Sequence, residues 1–184
     1  PDTFALRKGR YGFVDPTAVD LPDWDINTVS EADGMWVAGF VNGEGSFSVR
    51  MGHVTFSVTQ RSDEIGVIIF VANTLGVPNK LYTYDNSKRR SMGQKVGNEC
   101  KLSVSNRWIL NKRIVPFFER FPPKGRKLVE FQIFKQAVTL LCDRDKQDRY
   151  HKHFSNEERR LLTEYTETIR AIRRDPTAHQ GGPQ

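Results

Sequence analysis

The chain has 184 residues, 28 Lys and Arg against 22 Asp and Glu, and a net charge of +6. At 38% hydrophobic residues, with 12 Phe, it is too apolar for a disordered chain. Its mean hydropathy of -0.56 and its short apolar runs, far below the ~18 residues of a bilayer span, exclude a membrane-spanning protein. Cys100 and Cys142 form no CxxC pair, which excludes a zinc ribbon and fits a reducing compartment. A pI near 9.5 favours a polyanionic partner.

Residues 1–33 read as an N-terminal arm, with Pro1, Pro16 and Pro22, no helical period and, in PDTFALRKGR, no apolar h-region of a secretory signal. A single domain is expected over 34–175, and a disordered tail over 176–184. Met35 to Asn42 predicts a helix leaving through Gly43-Glu44-Gly45. Ser46 to Arg61 alternates as a β-hairpin turning at Gly52-His53, with Phe47, Val49, Met51, Val54, Phe56 and Val58 on its apolar face. Asp63 to Leu75 predicts a short buried helix stopped by Gly76. Leu81 to Tyr84 and Cys100 to Ser105 predict two more strands, joined by the basic connection DNSKRRSMGQKVGN. Arg107 to Phe118 reads as a helix interrupted by Pro116, and Pro122-Pro123-Lys124-Gly125 as a firm break. Arg126 to Cys142 is an amphipathic helix. Ser155-Asn156-Glu157-Glu158 is a capping box opening a last helix that ends near Arg174. The order is α+β, one αββαββα pass with extra C-terminal helices.

Charge is concentrated. Residues 86–127 hold 12 Lys and Arg against Glu99 and Glu119, a net +10, so the remainder carries -4. Leu102, Val104, Trp108, Ile109, Phe117 and Phe118 interleave with that run, which marks it as folded structure. The polar face of the first hairpin carries Ser46, Ser48, Arg50, Thr55, Ser57, Thr59 and Arg61; on the second pair Lys80, Tyr82, Tyr84, Lys101, Ser103 and Ser105 alternate likewise. With no acid on either face, such a ribbon suits the DNA major groove, while Lys88, Arg89, Arg90 and Lys95 of the connecting loop reach phosphates. The plain alternative is the solvated polar face of any antiparallel sheet.

The most informative segment is Val37-Ala38-Gly39-Phe40-Val41-Asn42-Gly43-Glu44-Gly45. Gly39 and Gly43 stand at i and i+4, a spacing that lets two backbones approach closely. Glu44 falls at a helix C-terminus, where the dipole disfavours an acid; a divalent cation would supply the missing counter-charge.

VAGFVNGEG resembles the signature of the LAGLIDADG homing endonucleases. FSVTQRSDE at the hairpin's end, LSVSN and IVPFFERFP are also similar to that family, over about residues 35–140. The resemblance implies a saddle-shaped antiparallel DNA-binding sheet covered by helices on one face, and a sequence-specific double-strand DNA endonuclease. It implies Glu44 as the metal-binding carboxylate, with the Gly43 carbonyl, and Mg²⁺ as the cofactor (Ca²⁺ or Mn²⁺ in vitro). Asn42 departs from the acid often found at its position. Gln60 matches a glutamine that orders active-site water. Lys124 or Lys127 matches a lysine near the scissile phosphate, and Arg61 stands closest to a basic residue that has no clear match. One motif in a chain of this length implies a C₂ homodimer through Val37, Gly39, Phe40 and Gly43, acting on a pseudo-palindromic site. The alternatives are an RNA maturase acting on its intron, or a catalytically inactive binder of the same fold. No GxSxG, Cys/His pairing or phosphate loop supports another enzyme class. His151 and His153, without nearby ligands, read as surface residues.

Overall fold

Ser30 begins the first helix. Its Oγ accepts from the Asp33 backbone N–H at 3.1 Å, and α1 runs from Glu31 to Glu44. The structure, a computed structural model, describes residues 23–50, 52–78, 81–93, 97–147 and 154–175. At Gly45 the chain passes directly into β1 (Gly45–Arg50), then turns into β2 (His53–Arg61). The turn lies one residue earlier than expected: Arg50 pairs with His53, which is already in β2, and Gly52 adopts a left-handed φ of 73°.

A short 3₁₀ turn, Ser62–Glu64, leads into α2 (Ile65–Thr74). After it come β3 (Leu81–Tyr84), a short α3 (Ser87–Ser91) inside the basic connection, and β4 (Glu99–Val104). The four strands form one antiparallel sheet in the order β1-β2-β4-β3. Four α-helices follow β4: α4 (Arg107–Ile109), α5 (Val115–Arg120), α6 (Arg126–Gln147) and α7 (Asn156–Arg174). The capping box of α7 forms as its sequence implies, with Ser155 and Glu158 bonding each other's backbone N–H groups.

Pro116 does not break its helix. Between α4 and α5 the chain widens into a π-helical turn, Leu110–Ile114, and Pro116 lies in the first turn of α5. The wider hydrogen-bond spacing of the π turn makes room for a proline directly after it, which has no N–H to offer the preceding turn. Helix α6 likewise runs past Cys142 to Gln147.

The expected arm boundary at residue 33 also moves, because the chain from Asp23 onward packs on the domain. Trp24 Nε1 donates to the Thr74 carbonyl at 3.0 Å, and its ring covers Gly76, whose left-handed φ and close contact leave no room for a side chain. Arg113 grips the same residue twice. Its Nη1 donates to the Trp24 carbonyl at 2.6 Å, and the guanidinium lies 4.9 Å from the indole centroid. Arg120 donates to the Ile26 carbonyl, and Arg107 Nη2 donates to the Gly52 carbonyl at 2.9 Å, pinning the hairpin turn.

Alternation along the strands sends Phe47, Val49, Val54, Phe56, Val58, Leu102 and Val104 to one face, all buried. Phenylalanines dominate that core. The Phe47 ring lies 5.2–5.5 Å from the centroids of Phe56, Phe118, Phe131 and Phe134, joining β1 to β2, α5 and α6. Phe47→Ala is therefore expected to destabilise the fold by about 3–5 kcal/mol, read as a lower urea midpoint with an unchanged slope.

Candidate functional site

Helix α1 is two-sided. Gly34, Val37, Ala38 and Val41 are buried, and a Cβ on Gly34 would overlap the Phe121 ring. Met35, Trp36, Gly39, Gly43 and Glu44 face out, with Phe40 partly exposed. A Cβ at Gly39 or Gly43 would meet nothing within 4 Å, so no neighbour in this chain requires their small size. Val37, expected at a dimer interface, is instead fully buried in the chain's own core, because it shares the inward stripe with Val41. Gly39, Phe40 and Gly43 do lie on the outward side, and Trp36 joins them there without having been singled out in the sequence. Trp36, 48% exposed, stacks on Phe40 at 5.2 Å and meets Phe70 of α2 edge-on at 5.3 Å. Their signal was the helical spacing 36, 39, 40, 43.

Where α1 ends, two side chains tie the motif to the loop and helix that follow α5. Asn42 Oδ1 accepts from the Lys124 backbone N–H at 3.1 Å, which ties the Pro-Pro-Lys-Gly loop to the motif. Lys127 Nζ donates to the Gly45 carbonyl at 2.7 Å and is itself buried, whereas the Lys124 side chain is exposed. The pairing of Gly45 with Val58 carries Gln60 to the same end of the sheet. Its Oε1 accepts from the Arg61 backbone N–H at 2.9 Å. Glu44 is exposed and immediately precedes Gly45 in the chain. Burial pushes the Lys127 ammonium below the ordinary lysine value, and Glu130, 3.5 Å away, pulls it back up.

The polar sheet face is ordered in rows by the register: Ser48 beside Thr55; Ser46, Ser57 and Ser103; Thr59, Lys101 and Tyr82; then Arg61, Glu99 and Tyr84. Ser57 is nearly buried at its centre, Tyr82 and Tyr84 are exposed, and Ser105 follows directly after β4. Two expectations change. The face does carry an acid, because β4 begins one residue earlier than its apolar pattern suggests and brings in Glu99. Arg61 is held by Asp63 in a bidentate pair at 2.6 and 3.1 Å. In the connection, Arg90 bonds Asn98 at 2.8 Å and Asp85 at 3.4 Å, and Lys88 is exposed. Met51, Lys80, Lys95, His151 and His153 lie outside the described residues, as does the side chain of Arg89.

A model of the LAGLIDADG endonuclease family matches residues 37–138, more than half of the chain. The chain belongs to this family. A probable intron-encoded endonuclease, Cox1-I1b of Schizosaccharomyces pombe, is 24% identical over 117 residues, which are 59% of this chain and 27% of that protein. The fold is similar to that of the I-LtrWI LAGLIDADG homing endonuclease solved bound to target DNA (TM-score 0.63, 17% identity, 87% of this chain and 53% of that one). It is also similar to I-SmaMI bound to uncleaved DNA with calcium ions (TM-score 0.58, 16% identity, 83% and 51%). The chain thus spans about half the length of these structural relatives and about a quarter of the curated one.

Within the LAGLIDADG motif the donor chemistry can be tested against a hard divalent cation. Among the described residues no three His, Cys, Asp or Glu side chains gather. One chain offers a single exposed carboxylate, Glu44, and the last-turn carbonyls of α1, Gly43 among them, which lack helical N–H partners. That all-oxygen set suits Mg²⁺, which is commonly held by one or two carboxylates plus substrate phosphates and water. No described helix is long and apolar enough to cross a membrane.

Because the folded chain holds the Lys127 proton less tightly than the unfolded one, the stability cost of its charge is present below the lowered folded pKa. It disappears as pH rises to the ordinary 10.5. Urea unfolding of wild type and Lys127→Met across that window should show the wild type gaining stability relative to the variant as pH rises.

Proposed function

We propose that this domain is half of a sequence-specific DNA endonuclease and acts as a two-fold pair with a second copy through the outward face of α1. The observation that carries this reading is an exposed Glu44 at the end of a glycine-faced helix, one residue before the Gly45 carbonyl that Lys127 holds, on a helix that runs straight into a sheet with a face of mostly Ser, Thr, Tyr and Lys rows.

Close approach at Gly39 and Gly43, flanked by Trp36, Phe40 and Phe70, brings two Glu44 carboxylates together over the backbone of the duplex. Glu44, with the Gly43 carbonyl, would hold Mg²⁺. The cation, when bound, supplies polarisation of the scissile phosphate and charge neutralisation for the leaving oxygen. Gln60 orients the attacking water through its amide. Lys127 contributes positive charge close to the motif end, where negative charge grows on the phosphate. The strands enter the major groove, where hydroxyl and amino side chains meet base edges, and cations of the β3–β4 connection meet phosphates. Arg50 and Lys101 are the cations on the reading face that are suited to guanine.

Duplex libraries incubated in Mg²⁺ and in Ca²⁺ test this. Wild type should cut a pseudo-palindromic sequence in Mg²⁺, and Glu44→Gln should bind the same sequence in Ca²⁺ without cutting. Binding to structured intron RNA with no DNA cleavage would instead support the maturase reading. Gly39→Glu should sediment as a monomer and lose cleavage. A monomer that still cuts would overturn the two-fold pair.

A further inference from the structure

Behind the motif lies a charged cluster of which the proposed chemistry uses Lys127 alone. Glu130 of α6 is fully buried, one turn after Lys127. Its Oε2 accepts from Arg173 of α7, at 3.0 Å from Nη2 and 3.4 Å from Nε, and lies 3.5 Å from the Lys127 ammonium. Arg126 Nε approaches Oε1 at 3.7 Å, too far for a hydrogen bond. Two of these cations also hold the backbone of the same strand. Lys127 bonds the Gly45 carbonyl at 2.7 Å; Arg173 bonds the Phe47 carbonyl at 2.8 Å and Ser46 Oγ at 3.3 Å. A buried carboxylate is costly unless paired, and a buried ammonium equally so. Here each is the condition for the other, and the two cations Lys127 and Arg173 meet the first three residues after Glu44.

We infer that Glu130 is a positioning residue: it holds the Lys127 ammonium against the Gly45 carbonyl, and Arg173 of α7 fixes Glu130 in turn. This rests on the reading of Lys127 as a charge-stabilising group. Without the Glu130 charge, the Lys127 ammonium would stand buried beside Arg126 and Arg173 and would swing toward solvent, away from the motif. Helix α7, which lies beyond the matched part of the family, thereby becomes part of the support of the site.

The test is Glu130→Gln, which keeps the shape and removes the charge. Two measurements are paired. Reductive methylation mapped by mass spectrometry should find Lys127 protected in the wild type and, in the variant, reacting at a rate close to that of exposed Lys124. Single-turnover cleavage should slow by about 10- to 100-fold, the range for groups that orient a catalytic side chain, while duplex affinity in Ca²⁺ stays unchanged. Arg173→Lys should restore most of the rate that Arg173→Met loses. A folded Glu130→Gln chain with Lys127 still protected would overturn the inference. Should that variant not fold, Lys127 protection in Arg173→Met decides in the same way: protection unchanged from wild type overturns the inference, and increased reactivity supports it. A wild type that cuts no duplex it binds would reject the endonuclease reading alone, because the methylation comparison needs no activity.

Discussion

The rotation of α1 about its own axis is the constraint on which the rest depends. Four inward residues, Gly34, Val37, Ala38 and Val41, set that rotation by packing on the core, and Gly34 admits the Phe121 ring where any side chain would collide. Once those four are buried, helical geometry leaves Gly39, Gly43 and Glu44 on the outside. Gly45 then turns the chain straight into the sheet with no intervening loop. The acid and the polar sheet face are consequently parts of one rigid unit, and little freedom remains in where Glu44 lies relative to the rows of polar side chains.

Phenylalanine packing makes that unit rigid. Phe47 is the third residue after Glu44 and meets rings from β2, α5 and α6. The polar connections do the same at shorter range. Asn42 fastens the Pro-Pro-Lys-Gly loop, and Lys127 fastens Gly45. Sites built on helices and strands keep their geometry better than sites built on loops.

The parts of the fold that repeat with a clear period were legible in the sequence. Alternation from Ser46 to Arg61 gave the hairpin and its polar face, and the S-x-x-E pattern gave the start of α7. The motif helix was legible as a helix, but its facing was not: Val37 looks as suitable for an interface as Phe40 until the core claims it. Other features rest on non-local packing. Pro116 is tolerated because a π turn precedes it, which no local pattern announces. The segment from Asp23 to Val29 has no period, and is placed by one indole over Gly76 and by two arginines from a distant helix. Glu99 enters β4 because pairing with Arg61 and Tyr84 extends the strand beyond its apolar alternation.

The same arginines change what the basic stretch means. Arg107, Arg113, Arg120 and Lys127 each hold a carbonyl of this chain, at Gly52, Trp24, Ile26 and Gly45. A hydrogen bond to a neutral carbonyl leaves the charge in place but fixes where the cation stands, so these four are less free than surface lysines to follow a partner's charges. Much of the positive charge in this fold serves as internal scaffolding.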